Sequence, residues 1–289
     1  MRGLVPGPLH VANGQATAAK LVAAGVPGRV VAHDDVLCDG PFPADLPPSP
    51  AWHHRAAWMA RHHGADAAKY LVAEMALERD IARHAGDLVL WSDAGCLHCG
   101  LNLLHLLRLP TKARVLLASP PGPRGRLGDS SPEQLAAVVA EPVPPDRVAL
   151  ARTACRLVAA GDPAKLQAFA NGAELASWPA LQQALRLRLR MPRLLDTVVL
   201  EHLAKAGAGD AAGAGDAAGA AGGPSPLDGL VRGLLADPAL AELGYGDASL
   251  ALHVRGMAEA GLVTLEGDGP GTLVRPRGGA PGAALIGPR

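Results

Sequence analysis

The chain has 289 residues, with 27 Lys+Arg against 27 Asp+Glu, so its formal net charge is zero. Hydrophobic residues make up 49% of it, which is enough to bury a core and excludes a chain that is disordered throughout. The balanced charge counts against nucleic-acid binding through overall positive charge. Aromatic residues are only 3%, so the core has to be built from Ala, Leu and Val.

No run of about 20 uninterrupted apolar residues occurs, so no membrane-spanning helix is expected. The first residues also lack the long apolar region of a secretion signal. The sequence therefore predicts a cytoplasmic protein with no membrane partner. Thiols stay reduced in the cytoplasm, so clustered cysteines there indicate metal or redox chemistry rather than a disulfide framework.

Short apolar runs alternate with helical patterns up to about residue 118. Strands are predicted at LHVAN, RVVAH, LVLWS and ARVLLAS, which begin at Leu9, Arg29, Leu88 and Ala113. Helices are predicted from Ala16 and from about Gly95, and two Ala-rich helices are expected on either side of Gly64. This alternation predicts an α/β domain over residues 1–145 with a Rossmann-like parallel sheet. Such sheets bind ligands at the carboxyl ends of their strands.

The rest of the chain predicts four further segments. Residues 146–206 carry leucines at helical intervals and are expected to form a helical region. Residues 207–225 are rich in Gly and Ala and are expected to act as a flexible linker. Residues 226–276 combine two helical patterns with two short extended pieces, the order of a winged-helix-like module. Residues 277–289 are expected to be a flexible tail.

Several motifs in this order are similar to those of one bacterial family. They are LHVANG from Leu9, DVLCDGPFP from Asp35, RAAWMA from Arg55, LVLW from Leu88, GLNLLHLL from Gly100, TVVLEHLA from Thr197 and GDASLALHVRGM from Gly246. Together they resemble the family named domain of unknown function 1835, and the C-terminal part resembles its usual companion, domain of unknown function 3658. The resemblance supports the domain layout given above and implies no settled activity.

The chain departs from that family's pattern at its cysteines. The resemblance implies a D-V-L-H-E-G-P motif in the family. In this chain Cys38 stands at the His of that motif and Asp39 at its Glu. By the same resemblance, Cys96 and Cys99 occupy two positions that are acidic in the family. Thiols therefore replace other polar side chains in the motifs that carry the resemblance.

The three cysteines form a candidate site without reference to the family. Cys38 follows the second predicted strand, and Cys96 and Cys99 follow the third at the start of a helix. Because the carboxyl ends of parallel strands meet at one edge of a sheet, we expect the three thiols to converge there. Cys96 and Cys99 share one face of a first helical turn, whose N-terminus favours the thiolate.

Zinc is the first choice of metal for such a cluster, with His33 as the expected fourth ligand and His10 as the alternative. An iron–sulfur cluster is the second choice, because it needs a fourth ligand or an open iron. A C-x-x-C pair at a helix start is also typical of redox proteins, so a thiol-dependent enzyme stays an alternative. A further alternative is that the cysteines bind nothing and pack in the core, since cysteine is among the most buried residue types.

Three more polar residues flank the same predicted edge. Asn13 and Gly14 form a turn whose N–H groups could meet an anion, although an ordinary tight turn between strand and helix is the favoured explanation. Asp35 and Asp39 could act as acid–base groups or as partners of a metal-bound histidine. Loop-capping carboxylates are the structural alternative, because Asp readily accepts from nearby backbone N–H groups.

The predicted function is therefore binding of a metal ion or a small ligand at the carboxyl edge of the sheet, and whether turnover follows stays open. The competing hypothesis is a regulatory or interaction protein whose winged module contacts a protein partner or DNA. The expected recognition helix offers Ser249, His253 and Arg255, which is a thin supply of positive charge for DNA phosphates.

Overall fold

The computed structural model describes residues 7–93, 96–120, 126–211, 225–240, 243, 245–267 and 271–277. The chain divides into two compact units, residues 1–189 and 190–289. Most of the expected linker, residues 212–224, and residues 278–289 of the expected tail lie outside the described residues. None of the helices in the described ranges is both long enough and apolar enough to cross a membrane.

A five-stranded sheet forms the centre of the first unit. Its strands are β1 (Leu9–Asn13), β2 (Arg29–His33), β3 (Asp87–Trp91), β4 (Arg114–Ala118) and β5 (Glu141–Pro142). Their order is β2-β1-β3-β4-β5, and all pairings are parallel except that of β4 with β5. The α/β class and the mainly parallel sheet are confirmed. The two-residue β5 was not predicted, because it is too short to show a strand pattern.

Helices connect these strands and continue beyond them. They are α1 (Gln15–Ala23), α2 (Pro50–His63), α3 (Ala67–Arg83), α4 (Leu97–Arg108), α5 (Pro132–Ala136), α6 (Pro145–Ala160), α7 (Pro163–Ala170) and α8 (Pro179–Ala211), with a 3₁₀ turn at Ala173–Ser177. The predicted break at Gly64 is confirmed, since Gly64 ends α2 with a left-handed φ of 66°. Glycine adopts that conformation without the steric cost that other residues meet.

The core lies on both faces of the central strands. β1 and β3 are buried along almost their whole length, which explains why their sequences are nearly continuous apolar runs. On one face, Ala12, Val89 and Trp91 pack in a cluster with Leu21 of α1 and Leu135 of α5.

Helix α4 is also buried, from Leu97 through Leu107. Its Gly100 approaches α8 so closely that an added Cβ atom would lie 2.5 Å from the Cβ atom of Ala184. The start of α4 is therefore held in place by a contact that excludes any larger side chain.

The described residues of the second unit form the last part of α8, two further helices and a small antiparallel sheet. Its elements after α8 are β6 (Ser225–Pro226), α9 (Leu227–Leu235), α10 (Asp247–Glu259), β7 (Val263–Glu266) and β8 (Leu273–Pro276). The strand order is β6-β8-β7. The two predicted helices and the two predicted extended pieces are confirmed. On α10, His253 Nε2 lies 2.9 Å from Asp196 Oδ1, so this imidazole is already engaged by α8.

Candidate functional site

The carboxyl ends of β1 and β3 separate at the middle of the sheet. Their pairing stops at Val11 and Leu90, whereas β1 continues beside β2 as far as Asn13. The strand order also reverses here, because β2 lies on one side of β1 and the later strands β3 and β4 lie on the other. In open α/β sheets, ligands bind in the crevice at such a reversal. The structure therefore places its most favourable ligand position between Asn13 and the segment that follows β3.

Asp93, Cys96 and Cys99, the cysteine cluster, lie at this position. Each offers one ligand atom, and the three atoms lie within 4.8 Å of one another. Cys99 Sγ lies 3.6 Å from Asp93 Oδ2, and the other carboxylate oxygen of Asp93 accepts the backbone N–H of Leu127 at 2.7 Å. Asn13 Nδ2 donates to Cys99 Sγ at 3.0 Å. The donors are thus held by the end of a strand, the first turn of a helix and a loop.

The two thiols of the cluster differ in acidity. A hydrogen bond from Cys99 lowers the pKa of Cys96 against the opposing effect of burial, and backbone N–H groups of the first turn of α4 act in the same direction. The same contact with Cys96, together with burial, holds the pKa of Cys99 well above its ordinary value. Burial also raises the pKa of the Asp93 carboxyl. Of the two thiols, Cys96 is therefore the one that loses its proton more readily.

A small recess opens beside the cysteine cluster. Ser92, Asp93 and Ser119 form its polar side, and Leu103, Leu117 and Trp178 lie on its apolar side. The backbone here is braced, because Ser119 Oγ donates to the carbonyl of Ser92 at 2.7 Å and Ser92 Oγ donates to the carbonyl of Cys99. Asp93 therefore forms part of the wall of this recess.

Cys38 lies beside His98 rather than within the cysteine cluster. Its thiol is fully buried, and Sγ is 3.7 Å from His98 Nδ1. Burial, with Asp39 nearby, holds the pKa of the Cys38 thiol well above its ordinary value, and burial lowers the pKa of His98 to about 4. Among the described residues, neither group with metal-ligand spacing includes Cys38. Of the three thiols that were expected to converge, the structure therefore brings together Cys96 and Cys99, beside Asp93, and leaves Cys38 outside the group.

Asp35 and Asp39 belong to a buried network around Arg55. The Arg55 guanidinium donates to both carboxylate oxygens of Asp35, and Tyr70 Oη donates to Asp35 Oδ2 at 2.7 Å. Arg55 also donates to the backbone carbonyl of Asp39. Although burial opposes it, the Arg55 charge holds the pKa of Asp35 below its ordinary range. Both oxygens of Asp35 are in use, so this residue holds the loop in place rather than a metal.

His10 does not reach the cysteines. Its Nε2 atom lies 2.9 Å from the carbonyl of Pro27, and its Nδ1 atom accepts from Trp91 Nε1 at 3.0 Å. Both ring nitrogens are therefore engaged inside the sheet, and burial lowers the pKa of this imidazole. The prediction that His10 could be the fourth ligand of the cysteine site is therefore wrong, because both of its ring nitrogens have other partners.

His33 lies in a second buried group with Glu74 of α3 and His105 of α4, here called the buried histidine cluster. His33 Nε2 is 3.5 Å from Glu74 Oε2, and His105 Nε2 is 3.8 Å from the same oxygen. The two imidazole rings stack with their centroids 5.4 Å apart. His33 is thus a candidate ligand, as predicted, but its neighbours are a carboxylate and an imidazole rather than thiols.

Three residues of these groups were not predicted from the sequence. Asp93 could have been found from the sequence. Asp93, Cys96 and Cys99 are spaced by three residues in the pattern D-x-x-C-x-x-C. Glu74 and His105 have no such signal, since each occurs alone in a helical pattern that is otherwise explained by packing and solvation. Only the folded chain brings them to His33. Cys155, expected to be a packing residue, is buried, and its thiol donates to the carbonyl of Leu104.

No model of a known protein family matches the chain, and no curated protein matches it either. The resemblance to domain of unknown function 1835 therefore stays a prediction.

Proposed function

We propose that this protein binds one zinc ion through Asp93, Cys96 and Cys99 and presents the ion to a small ligand. The distance of 3.6 Å between Cys99 Sγ and Asp93 Oδ2 carries the proposal. Sulfur and oxygen ligands at about 2.3 Å and about 2.1 Å from a tetrahedral ion lie about 3.6 Å apart. Cys99 and Asp93 therefore already have the separation of two zinc ligands, and Cys96 Sγ lies within 4.8 Å of both ligand atoms.

The surroundings of the cluster support the same function. Asn13 donates to the Cys99 sulfur, and the N–H of Leu127 fixes the Asp93 carboxylate. Contacts of this kind orient metal ligands, and their loss typically lowers metal affinity about 10- to 100-fold. Bound zinc would keep both thiols deprotonated, so the raised pKa of Cys99 is no obstacle once the ion is present.

Three protein donors leave one of the four positions of a tetrahedral zinc ion to water or a ligand. The recess lined by Ser92, Ser119 and Trp178 adjoins Asp93 and is small. A small polar molecule that binds zinc through an oxygen or sulfur atom fits this description. An iron–sulfur cluster fits less well, because such clusters are usually held by four thiolates and a carboxylate takes the third place here.

Metal analysis of the full chain, purified without a histidine tag, tests the proposal. We expect Cys96→Ser to bind one zinc ion fewer per chain than the wild type. Cys155→Ser is the matched control, because it removes a buried thiol outside the cluster. Absence of zinc from the wild type after refolding with zinc chloride would contradict the proposal.

A dithiol function is the second candidate, favoured by the hydrogen bond between the Cys96 and Cys99 sulfurs. In thiol–disulfide exchange, a Cys96 thiolate would attack a disulfide of a partner and form a mixed disulfide. Cys99 would then displace the partner's thiol, which leaves a Cys96–Cys99 disulfide and two reduced thiols on the partner. Reversible loss of two hydrogens by the zinc-free protein, detected by mass spectrometry after treatment with oxidised glutathione, would support this reaction.

We further propose that the second unit is a winged-helix module that contacts a protein partner. The order of α9, α10 and the β7–β8 pair supports this assignment. His253 of α10 is engaged with Asp196, so α10 has little positive charge available for DNA phosphates. Retardation of random duplex by the full chain at low salt would contradict the choice of a protein partner over DNA.

A further inference from the structure

We propose a second metal site, independent of the cysteines, in which His33, Glu74 and His105 hold a divalent transition ion, with zinc as the first choice. These residues come from the end of β2, from α3 and from α4. Two imidazoles and one carboxylate form a donor set that zinc uses in proteins. The site goes beyond the proposed function, because it shares no residue with the cysteine cluster.

Three polar atoms of this cluster lack hydrogen-bond partners. His33 Nδ1, His33 Nε2 and Glu74 Oε2 are buried without one. The exposed fractions of His33, Glu74 and His105 are 2%, 6% and 1%. Burial of a carboxylate without a compensating partner is costly, and such groups usually turn out to be paired or to coordinate a metal. A cation between the three side chains would satisfy the carboxylate and one nitrogen of each ring.

The spacing of the donors suits one ion. Nitrogen and oxygen ligands of a tetrahedral zinc ion lie about 3.3 Å apart. The two imidazole nitrogens are 3.5 Å and 3.8 Å from the shared Glu74 oxygen. Shifts of a few tenths of an ångström would therefore bring each imidazole nitrogen to that distance from the Glu74 oxygen, and all three donor atoms lie within 4.8 Å of one another. In the described part of the chain, this is one of two groups with such spacing.

One existing contact has to yield when the ion binds. Arg108 Nε donates to His105 Nδ1 at 3.2 Å, whereas coordination through Nε2 places the proton on Nδ1. Arg108 keeps its bonds to the carbonyls of Pro43, Ala44 and Asp45, so its head group stays anchored without that contact. Loss of one hydrogen bond is small beside the binding free energy of a three-donor zinc site.

The cluster also has an internal alternative, which is a buried ion pair between protonated His33 and Glu74. Burial opposes the charge on His33, but Glu74 and Asp35 outweigh it, so the pKa of His33 is raised. A proton would then occupy the place that we assign to the metal. Only one of the two can be present at a time, so the test has to separate them.

The full chain carrying Cys96→Ser and Cys99→Ser isolates the second site. After refolding with zinc chloride and dialysis, we expect this variant to retain one zinc ion. Its X-ray absorption should show nitrogen and oxygen neighbours at about 2.0 Å, with the multiple scattering of imidazole, and no sulfur at about 2.3 Å. This readout needs no change in the cluster itself, so it does not depend on the folding of a core variant.

Adding His105→Gln to that background should abolish zinc retention, whereas His53→Gln, on the exposed face of α2, should leave it unchanged. Retention of no zinc by the double serine variant would overturn the second site in favour of the His33–Glu74 ion pair. Equal retention with and without His105→Gln would also overturn it. The wild type separates the two proposals: two zinc ions support both, one with sulfur neighbours supports only the cysteine cluster, and one without sulfur supports only this site.

Discussion

Asn13 Nδ2 lies 3.0 Å from Cys99 Sγ and donates to it across the gap between the end of β1 and the start of α4. Asn13 is held in turn by Asn102, whose Nδ2 donates to Asn13 Oδ1 at 2.6 Å and to the carbonyl of Asp35 at 2.8 Å. The side-chain amide of Asn102, on helix α4, thereby connects that helix to strand β1 and to the loop after β2. This relationship links the buried network of the fold to the proposed zinc ligand.

Replacement of Asn13 by Ala should therefore weaken zinc binding without removing a ligand. Loss of such an orienting contact typically lowers metal affinity about 10- to 100-fold. Competition with a chromogenic chelator would measure the change. Gln15→Ala is the matched control, because Gln15 is exposed and donates to Asp34 instead. Equal zinc affinities of Asn13→Ala and Gln15→Ala would contradict the assignment.

Arg55→Met should destabilise the first unit strongly. It leaves the Asp35 carboxylate buried without its cation, and breaking a buried ion pair from one side typically costs about 3–5 kcal/mol of unfolding free energy. Arg61→Met, an exposed position on the same helix, should change it by less than about 0.5 kcal/mol. Urea unfolding of both variants measures the difference. A similar small loss in both would mean that Asp35 is solvated or protonated.

Gly100→Ala should destabilise the contact between α4 and α8. The new methyl group would meet the Cβ atom of Ala184 at 2.5 Å, and overpacking of this kind costs about 1–3 kcal/mol. Ala184→Gly should relieve the clash, so the double variant should lose less stability than the sum of the two single losses. Gly128→Ala is the control, because an added Cβ atom there has open space around it. Strict additivity in urea unfolding would contradict the contact.

His10 should make the folded state sensitive to mild acid. Its folded-state pKa is lowered, because burial disfavours the charged imidazole, although the Pro27 carbonyl opposes the effect. Its contribution to stability is therefore complete above the ordinary pKa of about 6.5 and declines as the pH falls below it. His33 has a raised pKa and contributes with the opposite sign, so the effect of His10 has to be isolated by substitution.

Urea unfolding at about pH 7.5 and about pH 5.5, in the presence of a chelator, makes that comparison. His10→Gln keeps a donor and an acceptor for Pro27 and Trp91, and its unfolding free energy should fall less between the two pH values than that of the wild type. His53→Gln, which changes an exposed imidazole, should retain the wild-type dependence. Identical pH dependence of His10→Gln and the wild type would show that His10 does not titrate as a buried group.

The strands and helices around the edge of the sheet could be predicted from the sequence alone. Each of the first four strands is a short apolar run flanked by turn residues, and the parallel sheet follows from the helices between them. Asn13, Cys96 and Cys99 were predicted at one edge for the same reason, because the carboxyl ends of parallel strands meet there. The structure confirms their proximity.

Side-chain partners beyond one strand or helix were not predictable in this way. His33 ends β2 and Cys38 follows that strand, as expected, but their neighbours depend on how α3 and α4 pack over the end of the strand. That packing brings Glu74 and His105 to His33 and His98 to Cys38. Arg55 lies on the buried face of α2 with Trp52 and Met59, but a charged residue on such a face does not by itself identify its partner, so the ion pair with Asp35 was not predictable either. Tertiary packing, rather than local pattern, decides these contacts.

The absorption spectrum of the cobalt-substituted full chain tests the zinc assignment most directly, because cobalt takes the same donors and reports thiolate ligation as an intense charge-transfer band. We predict that band in the wild type and in Cys155→Ser, its loss in Cys96→Ser and Cys99→Ser together, and its weakening in Asp93→Asn. A wild-type spectrum without a thiolate band would contradict metal binding by the cysteine cluster.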